Sequence, residues 1–125
     1  MLKGKTKLLV IDDEKAICEF TKNIFTKRGL DAYTAESGTK AITIAKKINP
    51  DIALIDVHMG KESGVDILKR LLKVSPKCRC IMVTWDKEKA QQAKKMGAAG
   101  ILIKPAELKD LVEIVSMTVK KLRKK

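Results

Sequence analysis

Aromatic residues are nearly missing from this 125-residue chain: Phe20, Phe25, Tyr33 and Trp85 are the whole set. Ile, Leu, Val, Ala and Met must therefore build the interior, because hydrophobic residues still make up 45% of the sequence. Histidine occurs once, at His58, and cysteine three times, at Cys18, Cys78 and Cys80. An odd number of thiols without scaffold spacing speaks against a disulfide-stapled secreted fold, and a C-x-C pair beside one His makes a poor zinc site. Free, mostly buried thiols are expected. With 7 Gly and 3 Pro, no fibrous or low-complexity segment is present. No apolar run approaches a membrane span, and Met1-Leu2-Lys3-Gly4-Lys5 leads into a strand-like segment, not a signal-peptide core. These absences point to a cytoplasmic globular protein without membrane contact, and the length suits one domain, residues 1–125.

Acidic residues are the scarcer sign, 15 against 27 Lys and Arg, giving a net charge of +12. The basic residues are scattered over several predicted helices, as in Lys22, Lys27, Arg28, Lys46, Lys47, Lys69, Arg70, Lys94 and Lys95, which is the pattern of solvated faces. Only Lys120-Lys121-Leu122-Arg123-Lys124-Lys125 is a cluster, and it suits a helix C-terminus. Direct nucleic-acid binding is not expected.

Within this basic chain the segment Leu8-Leu9-Val10-Ile11-Asp12-Asp13-Glu14 runs four apolar residues into three acidic ones. Two carboxylates held close raise each other's pKa unless a cation lies between them. Similar apolar runs occur at Ile52 to Ile55, Ile81 to Val83 and Ile101 to Ile103, each the length of a strand buried on both faces, and Asp31 to Ala35 is a weaker strand. Helical stripes lie between them: Ile17, Phe20, Ile24; Ala41, Ile44, Ala45, Ile48; Val65, Leu68, Leu71, Leu72; and Leu108, Leu111, Val112, Val115, Val119, Leu122. Lys87 to Met96 offers only Ala90, Ala93 and Met96, so a loosely packed helix is expected there. Gly29, Ser37, Asn49-Pro50, Pro76, Gly97 and Gly100 punctuate the elements. The result is an α/β (βα)5 chain with a doubly wound five-stranded parallel sheet, in the flavodoxin-like order 2-1-3-4-5.

In such a sheet the crevice lies beyond the carboxyl ends of the strands, between strands one and three. Those strands end at Asp12-Asp13 and at Asp56, while the later strands end at Thr84 and Lys104-Pro105. Carboxylates without an imidazole or thiolate cluster suit a hard cation such as Mg²⁺, held by Asp12 and Asp13. A carboxylate beside it, Asp56, is a candidate nucleophile toward phosphorus. The Thr84 hydroxyl and the Lys104 ammonium are suited to the charge that accumulates on the phosphoryl oxygens.

Asp12-Asp13 after a hydrophobic strand, Asn49-Pro50-Asp51 leading to Asp56, Gly64 eight residues beyond, Thr84, and Gly97-Ala98 through Lys104-Pro105 together resemble the receiver domain of two-component response regulators, over essentially the whole chain. The resemblance implies that Asp56 takes a phosphoryl group from a histidine kinase or histidine phosphotransfer protein. It implies that Asp13, Asp56 and the main-chain carbonyl of His58 ligate Mg²⁺, with Asp12 acting mainly through water. It also implies that Lys104 pairs with the phosphate across a cis bond to Pro105. The downstream partner would be a protein target, or an output domain if the receiver belongs to a longer protein.

The departures from that pattern concern the readout. Trp85 stands where the family has a small residue, and the indole is expected to shield the acyl phosphate. Ile101 replaces the usual Tyr or Phe switch, Gly60 replaces a common proline, and His58 and Asp86 occupy positions that tune hydrolysis. The His58 side chain is expected in an exposed loop and not on the metal. Two rivals remain: a phosphorylation-independent pseudo-receiver that binds protein, and an aspartyl phosphatase of the haloacid dehalogenase type. The latter wants a second acidic residue where His58 stands.

Overall fold

The structure, a computed structural model, describes residues 5–123. The opening Met1 to Gly4, and Lys124 and Lys125 of the expected basic tail, lie outside the described residues. The elements run β1 (Lys7–Ile11), α1 (Lys15–Lys27), β2 (Asp31–Ala35), α2 (Gly38–Ile48), β3 (Ile52–Asp56), β4 (His58–Met59), β5 (Glu62–Ser63), α3 (Gly64–Val74), β6 (Arg79–Thr84), α4 (Lys87–Lys95), β7 (Gly100–Ile103) and α5 (Leu108–Arg123). Five strands pair in parallel in the order β2-β1-β3-β6-β7, which is the expected 2-1-3-4-5 once the short β4 and β5 are counted. This is the flavodoxin-like (βα)5 arrangement.

Successive strand residues face opposite sides of a sheet, and that alternation divides the core in two. Leu9, Ile11, Ala53, Ile55, Cys80 and Met82 pack with Ala41 and Ala45 of α2 and with Ile67, Leu68 and Leu71 of α3. Leu8, Val10, Ile52, Leu54 and Ile81 pack on the other face with Phe25 of α1 and Val115 of α5. Each fully buried aliphatic side chain contributes about 1.5–3 kcal/mol, so aliphatic residues suffice where aromatics are few. All three cysteines are buried free thiols, as expected.

At the end of the sheet away from the acidic residues, Asp51 ties three strands together. Its Oδ2 accepts from Lys7 N–H at 2.8 Å, its own N–H donates to Lys7 O at 2.9 Å, and its carbonyl accepts from Arg79 N–H at 2.9 Å. The Lys7 ammonium adds a bond to Ile48 O at 3.1 Å.

Three expectations need correction. The buried face of α1 is Cys18, Thr21 and Phe25, with Ile24 half-buried, whereas Ile17 and Phe20 are 42% and 58% exposed. The real stripe has the same spacing displaced by one residue, and the polar Thr21 within it hides the phase. β7 is an edge strand and only half-buried, with Ile103 exposed, so its apolar run does not reflect burial on both faces. The segment after Asp56 is not an open loop: β4 and β5 form an antiparallel hairpin, His58 opposite Ser63 and Met59 opposite Glu62, turning through Gly60 at φ +61° and Lys61. Gly at the first central position suits a two-residue hairpin turn.

The expected caps are present. Ser37 accepts from Lys40 N–H at 3.2 Å and Asn49 closes α2 in the left-handed region at φ 52°. α4 seats only its Ala90 and Ala93 in the core, leaving a groove of about 550 Å³ lined by Lys87, Gln91, Lys94, Ile101 and Ile103. Among the described residues no helix is long and apolar enough to cross a membrane.

Candidate functional site

The carboxyl ends of β1, β3, β6 and β7 meet at one crevice. Asp12 follows the last residue of β1 and is positioned twice: its N–H donates to Ala35 O of β2 at 3.1 Å, and its Oδ1 accepts from Glu14 N–H at 2.9 Å. Asp56 ends β3, and its Oδ1 accepts from His58 N–H at 3.0 Å. Carboxylate oxygens of Asp12, Asp13 and Asp56 lie within 4.8 Å of one another. Burial pushes Asp12 up to about 6, opposed by the Glu14 N–H and reinforced by the charges of Asp56, Asp13 and Glu14. Mutual repulsion at this range is relieved by a divalent ion, and an all-oxygen donor set fits Mg²⁺. The residues present therefore fit the expected metal.

Lys104, just beyond β7, brings its ammonium to 3.8 Å from Asp56 Oδ1. Its N–H donates to Thr84 O at 2.8 Å, and its bond to Pro105 is cis, as the resemblance implies. Thr84 ends β6 and is completely buried, with Oγ1 accepting from Asp86 N–H at 2.9 Å. The Asp12, Asp13 and Asp56 carboxylates and the Lys104 ammonium thus lie together, with the buried Thr84 at the end of the neighbouring strand.

The backbone around Asp56 is held by Gly64. A Cβ on Gly64 would stand 2.5 Å from Val57 Cα and 2.6 Å from Asp56 O, and Gly64 N–H donates to Val57 O at 2.8 Å. Only glycine permits this approach.

The remaining residues fall on the rim. Asp86 caps α4, its Oδ1 accepting from Glu88 and Lys89 N–H at 3.0 and 3.2 Å. Ile101 is half-buried beside Met82. Trp85 is 63% exposed and borders a groove of about 730 Å³ between α1 and α5 that also takes in Asp56, Lys104, Phe20 and Leu108. The His58 side chain departs from expectation. It is half-buried, not an exposed loop residue, and its imidazole stacks on Trp85 with Nε2 3.3 Å from Thr84 Oγ1. The only sequence signal for this is that each ring neighbours a site residue.

A family model described as the response regulator receiver domain matches residues 8–116. The chain belongs to that family. This receiver is 29% identical over 111 residues to Sporulation initiation phosphotransferase F of Bacillus subtilis (strain 168), a match that covers 87% of this chain and 90% of that protein. It is also 29% identical to Chemotaxis protein CheY of Thermotoga maritima, over 91% of this chain and 98% of that one. Among solved structures, a response regulator receiver domain protein from Clostridium thermocellum superposes with a TM-score of 0.85 at 31% identity, covering 94% of the receiver and 97% of its own chain.

Proposed function

We propose that the protein is a phosphoacceptor switch in which Asp56 takes a phosphoryl group from a histidine kinase or histidine phosphotransfer protein in the cytoplasm. The observation that carries the reading is the approach of the Lys104 ammonium to a carboxylate that also shares a cluster with Asp12 and Asp13. Asp12, Asp13 and Asp56, with the main-chain carbonyl of His58, would hold Mg²⁺. When bound, the metal offsets the repulsion between Asp56 and the incoming anion.

The chain's own groups do the rest. An Asp56 oxygen bonds to phosphorus as the donor's P–N bond breaks, and the donor imidazole leaves with the electron pair. Lys104 and Thr84 face the phosphoryl oxygens as charge builds on them. The protein is itself the site modified, not an enzyme with a separate product. Thr84, drawn toward the phosphoryl group, would shift the surface of α4 and α5 toward a protein target or an output domain.

Intact mass after incubation with Mg²⁺ and a small phosphodonor tests this, with Asp56→Asn alongside. A phosphoryl adduct on the parent alone is expected. No adduct even from a cognate phosphodonor, with Mg²⁺ bound, would favour the phosphorylation-independent protein-binding module.

A further inference from the structure

The only histidine and the only tryptophan of the chain are stacked, ring centroids 4.6 Å apart and planes 6° from parallel. They come from different segments: His58 opens β4, two residues beyond Asp56, and Trp85 directly follows Thr84, the last residue of β6. The imidazole also touches the buried hydroxyl between them, with Nε2 3.3 Å from Thr84 Oγ1. That oxygen already accepts from Asp86 N–H.

A threonine hydroxyl has one proton to donate and two lone pairs. Asp86 N–H occupies one lone pair, and complete burial keeps water from Thr84. His58 Nε2 is the other group within reach of this oxygen, and in the tautomer that leaves Nε2 without a proton it accepts the Thr84 proton. The indole is 63% exposed and lies stacked on the imidazole. The same Thr84 proton is the one a phosphoryl oxygen on Asp56 would take.

We propose that His58 is a positioning residue that couples the acceptor site to Trp85. In the resting protein Thr84 donates to His58 Nε2, and this bond fixes the imidazole under the indole. An anion on Asp56 takes that proton, the imidazole loses its anchor, and the stack opens at the head of α4. A change in one buried hydrogen bond thereby becomes a change in a large exposed aromatic surface. The inference rests on the phosphoacceptor reading above.

Trp85 is the only indole, so its emission reports the stack directly. The experiment titrates the full chain with beryllofluoride and Mg²⁺, following emission and, by fluorine NMR, bound beryllofluoride. Parent emission is expected to rise as the quenching imidazole moves away. His58→Phe keeps a ring and loses the nitrogen, so its emission should stay constant. It should also bind beryllofluoride about two- to tenfold more tightly, since no hydroxyl–imidazole bond has to be broken. His58→Gln, which can again accept from Thr84, should return the affinity to that of the parent. Bound beryllofluoride with unchanged parent emission, or a His58→Phe affinity equal to the parent's, would overturn the coupling and leave the phosphoacceptor reading standing. If no beryllofluoride binds and no phosphoryl adduct forms, that reading fails and the coupling with it.

Discussion

Gly38 N–H donates to Glu62 Oε1 at 2.8 Å, a bond across 24 residues that fastens the hairpin after Asp56 to the first turn of α2. The first turn of α2 has no acidic residue of its own, so Glu62 supplies the carboxylate that a helix N-terminus favours. Glu62→Ala should leave a partly buried N–H without its acceptor and lower stability by about 1 kcal/mol, read as a fall in the urea midpoint at constant slope. An unchanged midpoint would mean the hairpin is held by its turn alone.

Gly64 meets backbone, not flexible side chains, and backbone at this position cannot yield cheaply. Gly64→Ala should cost about 1–3 kcal/mol in chemical denaturation. It should also slow phosphoryl acceptance, because the displaced atoms belong to Asp56 and Val57.

Asp12 makes the metal-free protein sensitive to mild pH. Its carboxyl is raised from 3.8 to about 6, so the fold favours its protonated form. The stability this contributes is complete below about 3.8 and is lost as pH rises through about 6. Thermal melts without divalent ions should therefore fall between those values, and Asp12→Asn should flatten the profile. Mg²⁺ binding should strengthen over the same window.

Burial pushes the Cys18 thiol up to about 11 and raises Cys78 as well, Cys78 chiefly through its contact with Cys80. Thiols that stay protonated and inaccessible react poorly. In native buffer a thiol reagent should label none of the three within the time that labels all of them in denaturant. Rapid native labelling of Cys18 would show that α1 detaches readily from the sheet.

Much of this was readable before any coordinates. β2 is the predicted Asp31 to Ala35, and Asp12, Asp13 and Asp56 lie together at the strand ends, because parallel strands and their helices carry strong hydrophobic periods. What escapes a one-dimensional reading has physical causes. The α1 face is displaced because a polar Thr21 is buried in the stripe while Ile17 and Phe20 border an open groove. The β4–β5 hairpin is too short for any alternation to show. The His58–Trp85 stack joins residues 27 positions apart and leaves no local trace beyond the rings themselves.

The Asp51 tie acts on the sheet as a vice acts on a reed. β1, β3 and β6 are gripped where Lys7, Asp51 and Arg79 exchange backbone bonds, and Asp12, Asp56 and Thr84 stand at their opposite ends. A reed fixed at its root deflects most at its tip. A group bound at the carboxyl ends would therefore act on the segments leading to α4 and α5, at the opposite end of the strands from the Asp51 tie.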